Sequence, residues 1–254
     1  MDILTQVSDG IMAIELNRPG KKNALTSAMY ALLTEALIEA ERDDAVRVIL
    51  FHGKPDVFTA GNDLEDFMQR PPQDEDTPVF RFLSAASQAA KPLVAAVNGA
   101  AVGIGTTLLL HCDLVYAGDN ARFRLPFASL GLVPEFASSY LLPMVAGYQR
   151  AAELLMLGES FGPEVALAAG FVTRVVPAAQ TLDTAREAAR KLAALPAKSV
   201  RLTKALLKGT HAAAVRNQLQ VEGRHFREML SEPAAREALA AFIEKRKPDF
   251  SKLP

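Results

Sequence analysis

Cysteine occurs once in the 254 residues, as Cys112 in an apolar context, so no disulfide framework exists. The four histidines, at positions 52, 111, 211 and 225, lack ligand spacing, and no metal is expected. The formal net charge of −1 offers no basic field for nucleic acid or anionic lipid. Met1-Asp2-Ile3-Leu4-Thr5 has no basic region followed by an apolar one, so no secretory signal is read and a reduced, cytoplasmic setting is expected. The terminal Ser251-Lys252-Leu253-Pro254 closes on proline, which speaks against a Ser-Lys-Leu peroxisomal address. Between Leu93 and Leu110 lies an apolar stretch of spanning length. Asn98, Gly99, Gly103, Gly105 and two threonines interrupt it, so it reads as strand, turn and helix rather than as a membrane span.

What is present is an ordinary globular composition: half of the residues are hydrophobic and 22% charged, enough for one large core. Ile3–Val7 and Ile11–Leu16 alternate around Ser8-Asp9-Gly10 and predict a hairpin. Thr26 or Ser27 caps a helix reaching about Glu41. Strands are expected at 46–52, 93–97, 114–117, 121–124 and 172–175, with helices at 64–68, 80–90, 103–111, 137–145 and 150–157. Beyond Thr181 only helices are expected, at 183–194, 199–208, 212–230 and 233–245. Strands alternating with helices give an α/β core, and recurrent strand–strand–helix units suggest a spiral. A composition shift near Pro196 divides a core, 1–196, from a helical tail, 197–254. Folding back on the core, or packing on another subunit, would bury the tail.

Two glycine-bearing turns carry the chemistry. One is Phe58-Thr59-Ala60-Gly61-Asn62-Asp63-Leu64, the other Asn98-Gly99-Ala100-Ala101-Val102-Gly103-Ile104-Gly105. Facing one another, they would aim two backbone N–H groups at one carbonyl oxygen, as an oxyanion or enolate site requires. Glu135, in Leu130-Gly131-Leu132-Val133-Pro134-Glu135-Phe136, is the lone candidate base beside them. Asp63 precedes a helix and reads as a cap, although it is kept among the residues near the substrate. Asn98 and Asp113 read as structural, and His111 and Cys112 as core.

These motifs, with Leu16-Asn17-Arg18-Pro19, Lys22-Asn23-Ala24-Leu25 and Phe242-Ile243-Glu244-Lys245-Arg246, resemble the crotonase (enoyl-CoA hydratase/isomerase) superfamily over essentially the whole chain. The resemblance implies a ββα spiral with a helical trimerisation tail. It also implies an acyl-CoA thioester substrate, with coenzyme A as part of the substrate and no separate cofactor, and a homotrimer or a dimer of trimers. By position the oxyanion donors would be the Ala60 and Ile104 amides. Lys22 would lie near the phosphates of coenzyme A and the Ala24 backbone near its adenine. Asn62, Asp63, Leu64, Thr107, Phe127 and Phe136 would border the acyl group. Lys245 and Arg246 read as a solvated helix end rather than as ligands of a neighbouring subunit's coenzyme.

Typical hydratases of this superfamily use two glutamates, and here Thr107 and Phe127 stand in their places. Adding water needs one group to activate it and another to deliver a proton, so ordinary hydration is disfavoured. Thr107 is expected at most to hold a water. The single carboxylate at Glu135, Asn62 in Ala-Gly-Asn-Asp-Leu and Ile104 after Gly103 are similar to the Δ3,Δ2-enoyl-CoA isomerases, above all the peroxisomal type, acting on fatty acyl-CoAs in β-oxidation. Phe136 departs from them, standing where glycine is common. Apolar neighbours (Phe127, Leu132, Phe136) would raise the pKa of Glu135 while a helix N-terminus would lower it, and sequence does not rank the two. The alternatives are a hydratase or another acyl-CoA enzyme on the same fold, and a non-catalytic acyl-CoA-binding protein.

Overall fold

The computed structural model describes residues 1–244, 246–251 and 253. The expected hairpin is present: β1 (Ile3–Ser8) pairs antiparallel with β2 (Ile11–Leu16), and Asp9 and Gly10 both take positive φ, the conformation that a two-residue hairpin turn demands. Helix α1 (Ser27–Arg42) starts at Thr26, whose side chain accepts the Met29 amide, and buries Met29, Tyr30, Leu33, Ala36, Leu37 and Ala40 along one stripe.

Three strand–strand units follow. They are β3 (Val48–His52) and β4 (Val57–Thr59) leading into α2 (Leu64–Gln69) and α3 (Pro78–Ser87); β5 (Leu93–Val97) and β6 (Ala100–Val102) leading into α4 (Ile104–Thr107); and β7 (Leu114–Gly118) and β8 (Arg122–Arg124), with α5 (Ser138–Ala146) further on. The first strand of each unit joins a six-stranded sheet ordered β1-β2-β3-β5-β7 and ending on β9 (Arg174–Val176). The second strand of each joins a small parallel sheet, β4-β6-β8. That alternation is the spiral that the strand–strand–helix recurrence suggested.

Every residue of β3 and β5 is buried, as parallel strands covered on both faces require. Ile49, Phe51, Ala95 and Val97 face the large core shared with α1 and α3. Val48, Leu50, Val94 and Ala96 face α8 (Thr181–Ala194), which meets them with Ala185, Ala189 and Ala193.

Some elements differ from expectation. The three-residue strands β4 and β6 are too short to show a period, and α7 (Pro163–Ala168) was not anticipated. The helix expected over 103–111 is α4 followed by a 3-10 turn, Leu108–Leu110. The helix expected over 150–157 is α6 (Tyr148–Ala152) followed by a π turn, Glu153–Leu157.

The tail helices are α9 (Ala197–Gly209), α10 (Ala212–Leu230) and α11 (Pro233–Ile243). Lys204 and Lys208 of α9 tie it to the core: Lys204 pairs with Asp113 at 2.7 Å and Lys208 donates to the His111 carbonyl at 2.6 Å. Helix α10 lies on α3 and α5, and α11 on the turn 128–131. Arg246 pairs with Glu237 and Glu244. Lys245, Lys252 and Pro254, which figured in the readings of the chain end, lie outside the described residues. No described helix is long and apolar enough to cross a membrane.

Candidate active site

Parallel pairing of β4 with β6, Val57 opposite Ala100 and Thr59 opposite Ala101, sets the two glycine turns side by side. Gly61 has φ +90°, and a Cβ there would lie 2.8 Å from the Val102 carbonyl oxygen. A Cβ on Gly105 would lie 2.5 Å from the Thr59 methyl. Only glycine lets the two backbones approach this closely.

The structure corrects one expected donor. The Ala60 amide donates to the Lys22 carbonyl at 2.9 Å and is spent. Two residues on, Leu25 bridges the chain: its amide donates to the Gly61 carbonyl at 2.8 Å and its carbonyl accepts the Asp63 amide at 2.9 Å. In a parallel bridge the residue between is skipped, so the Asn62 N–H is left free. The Ile104 N–H, at the first position of α4, is likewise free. Among the described residues neither amide donates to the protein. Both amides lie in the turn that the motif singles out, and only the hydrogen bonds separate Ala60 from Asn62.

Glu135 is 6% exposed, between the turn at 131 and α5. Thr107 Oγ1 donates to its Oε1 at 3.0 Å, so the hydroxyl proton serves the carboxylate directly. Burial pushes the Glu135 carboxyl up to about 8, the Thr107 bond pulls it down, and the nearby Glu222 carboxylate pushes it up again. Burial is the largest of these influences. Phe136 has φ +61° and Ala137 +55°; His111 Nε2 donates to the Phe136 carbonyl at 2.8 Å, and its ring stacks on Phe136 at 3.9 Å. His111 is neutral, held by burial down at about 3.

A narrow cleft runs from Asn62, Glu135 and Phe136 between α2, α3 and α10, walled by Phe67, Phe80, Leu83 and Phe226. Its predominantly apolar lining suits a slender apolar group. Phe136 lines it. Phe127 is buried in the turn that precedes 131 and does not. Lys22 is exposed and Ala24 half-buried on the loop that its Ala60 bond holds beside the first turn. Asp63 caps α2 through the Asp66 amide and pairs with Arg18 at 2.7 Å. Partial burial works against its charge, but Arg18 and the amides outweigh it and hold the carboxyl low. Leu64 is the first residue of α2, half-buried.

Two residues here were not anticipated. The Tyr30 hydroxyl of α1 donates to Asn62 Oδ1. Glu222 of α10 accepts bonds from Ala137 and Ser139. Glu222 did leave a trace: it shares one helical face with Leu219 and Phe226, an acid on an apolar stripe.

The family model for enoyl-CoA hydratase/isomerase matches residues 6–252. A 1,2-epoxyphenylacetyl-CoA isomerase of Escherichia coli (strain K12) is 37% identical over 257 residues, covering 98% of both chains. Enoyl-CoA delta isomerase 2 of Rattus norvegicus is 39% identical over 212 residues, 81% of this chain and 54% of that protein. The solved structure of Pseudomonas aeruginosa OdaA superposes with a TM-score of 0.93 at 48% identity, covering 95% of this chain and 98% of that one.

Proposed function

The chain belongs to the enoyl-CoA hydratase/isomerase family, and on that premise we propose that it is a Δ3,Δ2-enoyl-CoA isomerase acting on fatty acyl-CoAs. The reading is carried by one observation: Glu135 is the sole acid lining the cleft among the described residues. A 1,3-proton shift needs only one such group. In the reaction, Glu135 takes the proton from C2 of a 3-enoyl thioester. The electron pair delocalises over C2, C3, C4 and the thioester oxygen as a dienolate. The Asn62 and Ile104 amides stabilise that oxygen, each such donor typically worth about 3–4 kcal/mol. The same carboxyl returns the proton to C4, leaving the double bond between C2 and C3. A pKa near the working pH suits a group that must both take and give a proton.

The Lys22–Ala24 loop would carry the coenzyme, and the cleft between α3 and α10 the acyl chain. Hydration is disfavoured because Glu222, the other acid near Glu135, has its oxygens engaged by Ala137 and Ser139 and does not line the cleft.

The test is a panel of acyl-CoAs. Trans-3-hexenoyl-CoA should give rising conjugated enoyl-thioester absorbance. Glu135→Gln should abolish that rise while leaving ester binding largely intact, and full activity in this variant would remove Glu135 from the reaction. Rapid water addition to crotonyl-CoA would favour a hydratase, and binding without turnover across the panel a non-catalytic protein.

A further inference from the structure

Glu222 is a buried acid that the proposed reaction leaves unused. It is 4% exposed and sits on the inward face of α10. Its Oε2 accepts the Ala137 amide at 2.6 Å. Its Oε1 accepts the Ser139 amide at 2.9 Å and the Ser139 hydroxyl at 2.5 Å. Gln218, one turn earlier on the same helix, donates to that hydroxyl at 2.8 Å.

These bonds converge on the turn that follows Glu135. Phe136 and Ala137 are two successive non-glycine residues in the left-handed region, a conformation that persists only where surroundings enforce it. His111 grips the turn from one side through the Phe136 carbonyl and ring. Glu222 grips it from the other, where the first amides of α5 favour an anion.

We propose that Glu222 is the positioning residue of Glu135, its carboxylate clamping the Phe136–Ala137 turn so that the base is aimed into the cleft. The inference rests on Glu135 being the base. A second consequence is electrostatic. The groups that face Glu135 are Tyr30 from α1, Thr107 from α4 and Glu222 from α10, with His111 behind Phe136. Burial keeps the Tyr30 hydroxyl protonated and His111 neutral. Burial holds the Glu222 carboxyl above its ordinary value, only partly offset by its Ser139 and Ala137 donors. In its ionised form its charge opposes proton loss from Glu135.

The experiment compares full-length Glu222→Gln, Ser139→Ala and Glu135→Gln with wild type, using trans-3-hexenoyl-CoA and a pH profile of kcat/KM. In Glu222→Gln, kcat should fall by roughly 10- to 100-fold, the range expected when a reacting group is misplaced by about 1 Å, with little change in KM. The ascending limb should move to lower pH, because a negative charge has gone. A packing role alone would leave the limb in place. Ser139→Ala keeps the charge, so it should lose less kcat and leave the limb unmoved. A silent Glu135→Gln beside a Glu222→Gln with wild-type kcat and limb overturns this inference and leaves the reaction standing. An active Glu135→Gln removes both. If Glu222→Gln does not fold, Ser139→Ala decides, and wild-type kcat there overturns the inference.

Discussion

The Thr107 hydroxyl donates to Oε1 of Glu135 at 3.0 Å, and both side chains are out of water. The bond favours the charged carboxylate. Thr107→Val removes it at nearly constant volume. The Glu135 pKa then rises, and the ascending limb of kcat/KM moves to higher pH. At pH 7 the rate should fall by about tenfold, as a hydrogen bond to a charged group is typically worth about 1.5–3 kcal/mol. An unmoved limb in the pH profile would separate Thr107 from the base.

Glu135 itself links activity to stability with opposite signs. Its folded pKa, about 8, lies above the unfolded value of 4.5. Between those values the folded chain holds a proton that the unfolded chain has lost, so this group's contribution to stability declines as pH rises through the window. With Glu135 as the base, activity should climb over the same range. Glu135→Gln carries no charge at any pH. It should match wild type in stability near pH 4 and exceed it at pH 9, by up to about 5 kcal/mol from the size of the shift. Denaturant titrations at the two pH values check this, and a constant difference would count against a buried, titrating carboxyl.

Tyr30 and Asn62 form the next testable pair. The phenol bonds the Asn62 side chain, and the Asn62 amide is one of the two free donors. Tyr30→Phe keeps the ring packed against Phe82 and loosens the turn. A fall in kcat of roughly tenfold with KM nearly constant is expected, the signature of an interaction made mainly in the transition state. A change confined to KM would show that the pair serves binding alone.

Gly61→Ala tests how closely the turns must approach. Its φ is +90°, and the new methyl would meet the Val102 carbonyl at 2.8 Å. Strain on the order of 1–3 kcal/mol should lower Tm, and widening the gap between the amides should depress kcat well beyond that loss of stability. Equal activity per folded molecule would show that the spacing is not critical.

We also expect a trimer or a dimer of trimers. Leu202, Leu206 and Leu207 on α9 are 56%, 72% and 75% exposed, and a patch of this kind commonly marks an association surface. Light scattering should give three or six times the 27.3 kDa chain mass, and Leu206→Glu with Leu207→Glu should lower it. A 27.3 kDa particle from wild type would end this expectation.

Long periodic segments were legible in the sequence. The α1 stripe and the continuous apolar runs of β3 and β5 announce themselves, because burial on one face or on two imposes a residue pattern. The strands β4 and β6 were not, since three residues carry no period. They matter most for the site, because their pairing joins the two turns. Glu135 stands out in the sequence as an isolated acid beside motif-bearing turns. The free amide does not: Ala60 and Asn62 lie two apart in one motif, and what separates them is a long-range bond from Ala60 to Lys22. Tyr30 and Glu222 stayed hidden for the same reason, since their partners lie 32 and at least 83 positions away.

Helix α10 presents Leu219, Gly223 and Phe226 to the cleft and Glu222 to the turn behind Glu135. On the proposed reaction, one rigid rod would both measure the acyl chain and steady the group that reacts with it. Substrate range and turnover would then not be independently adjustable. Remodelling α10 to admit a bulkier chain is expected to slow the proton transfer as well, and variants selected for new chains should carry compensating changes at Gln218 or Ser139.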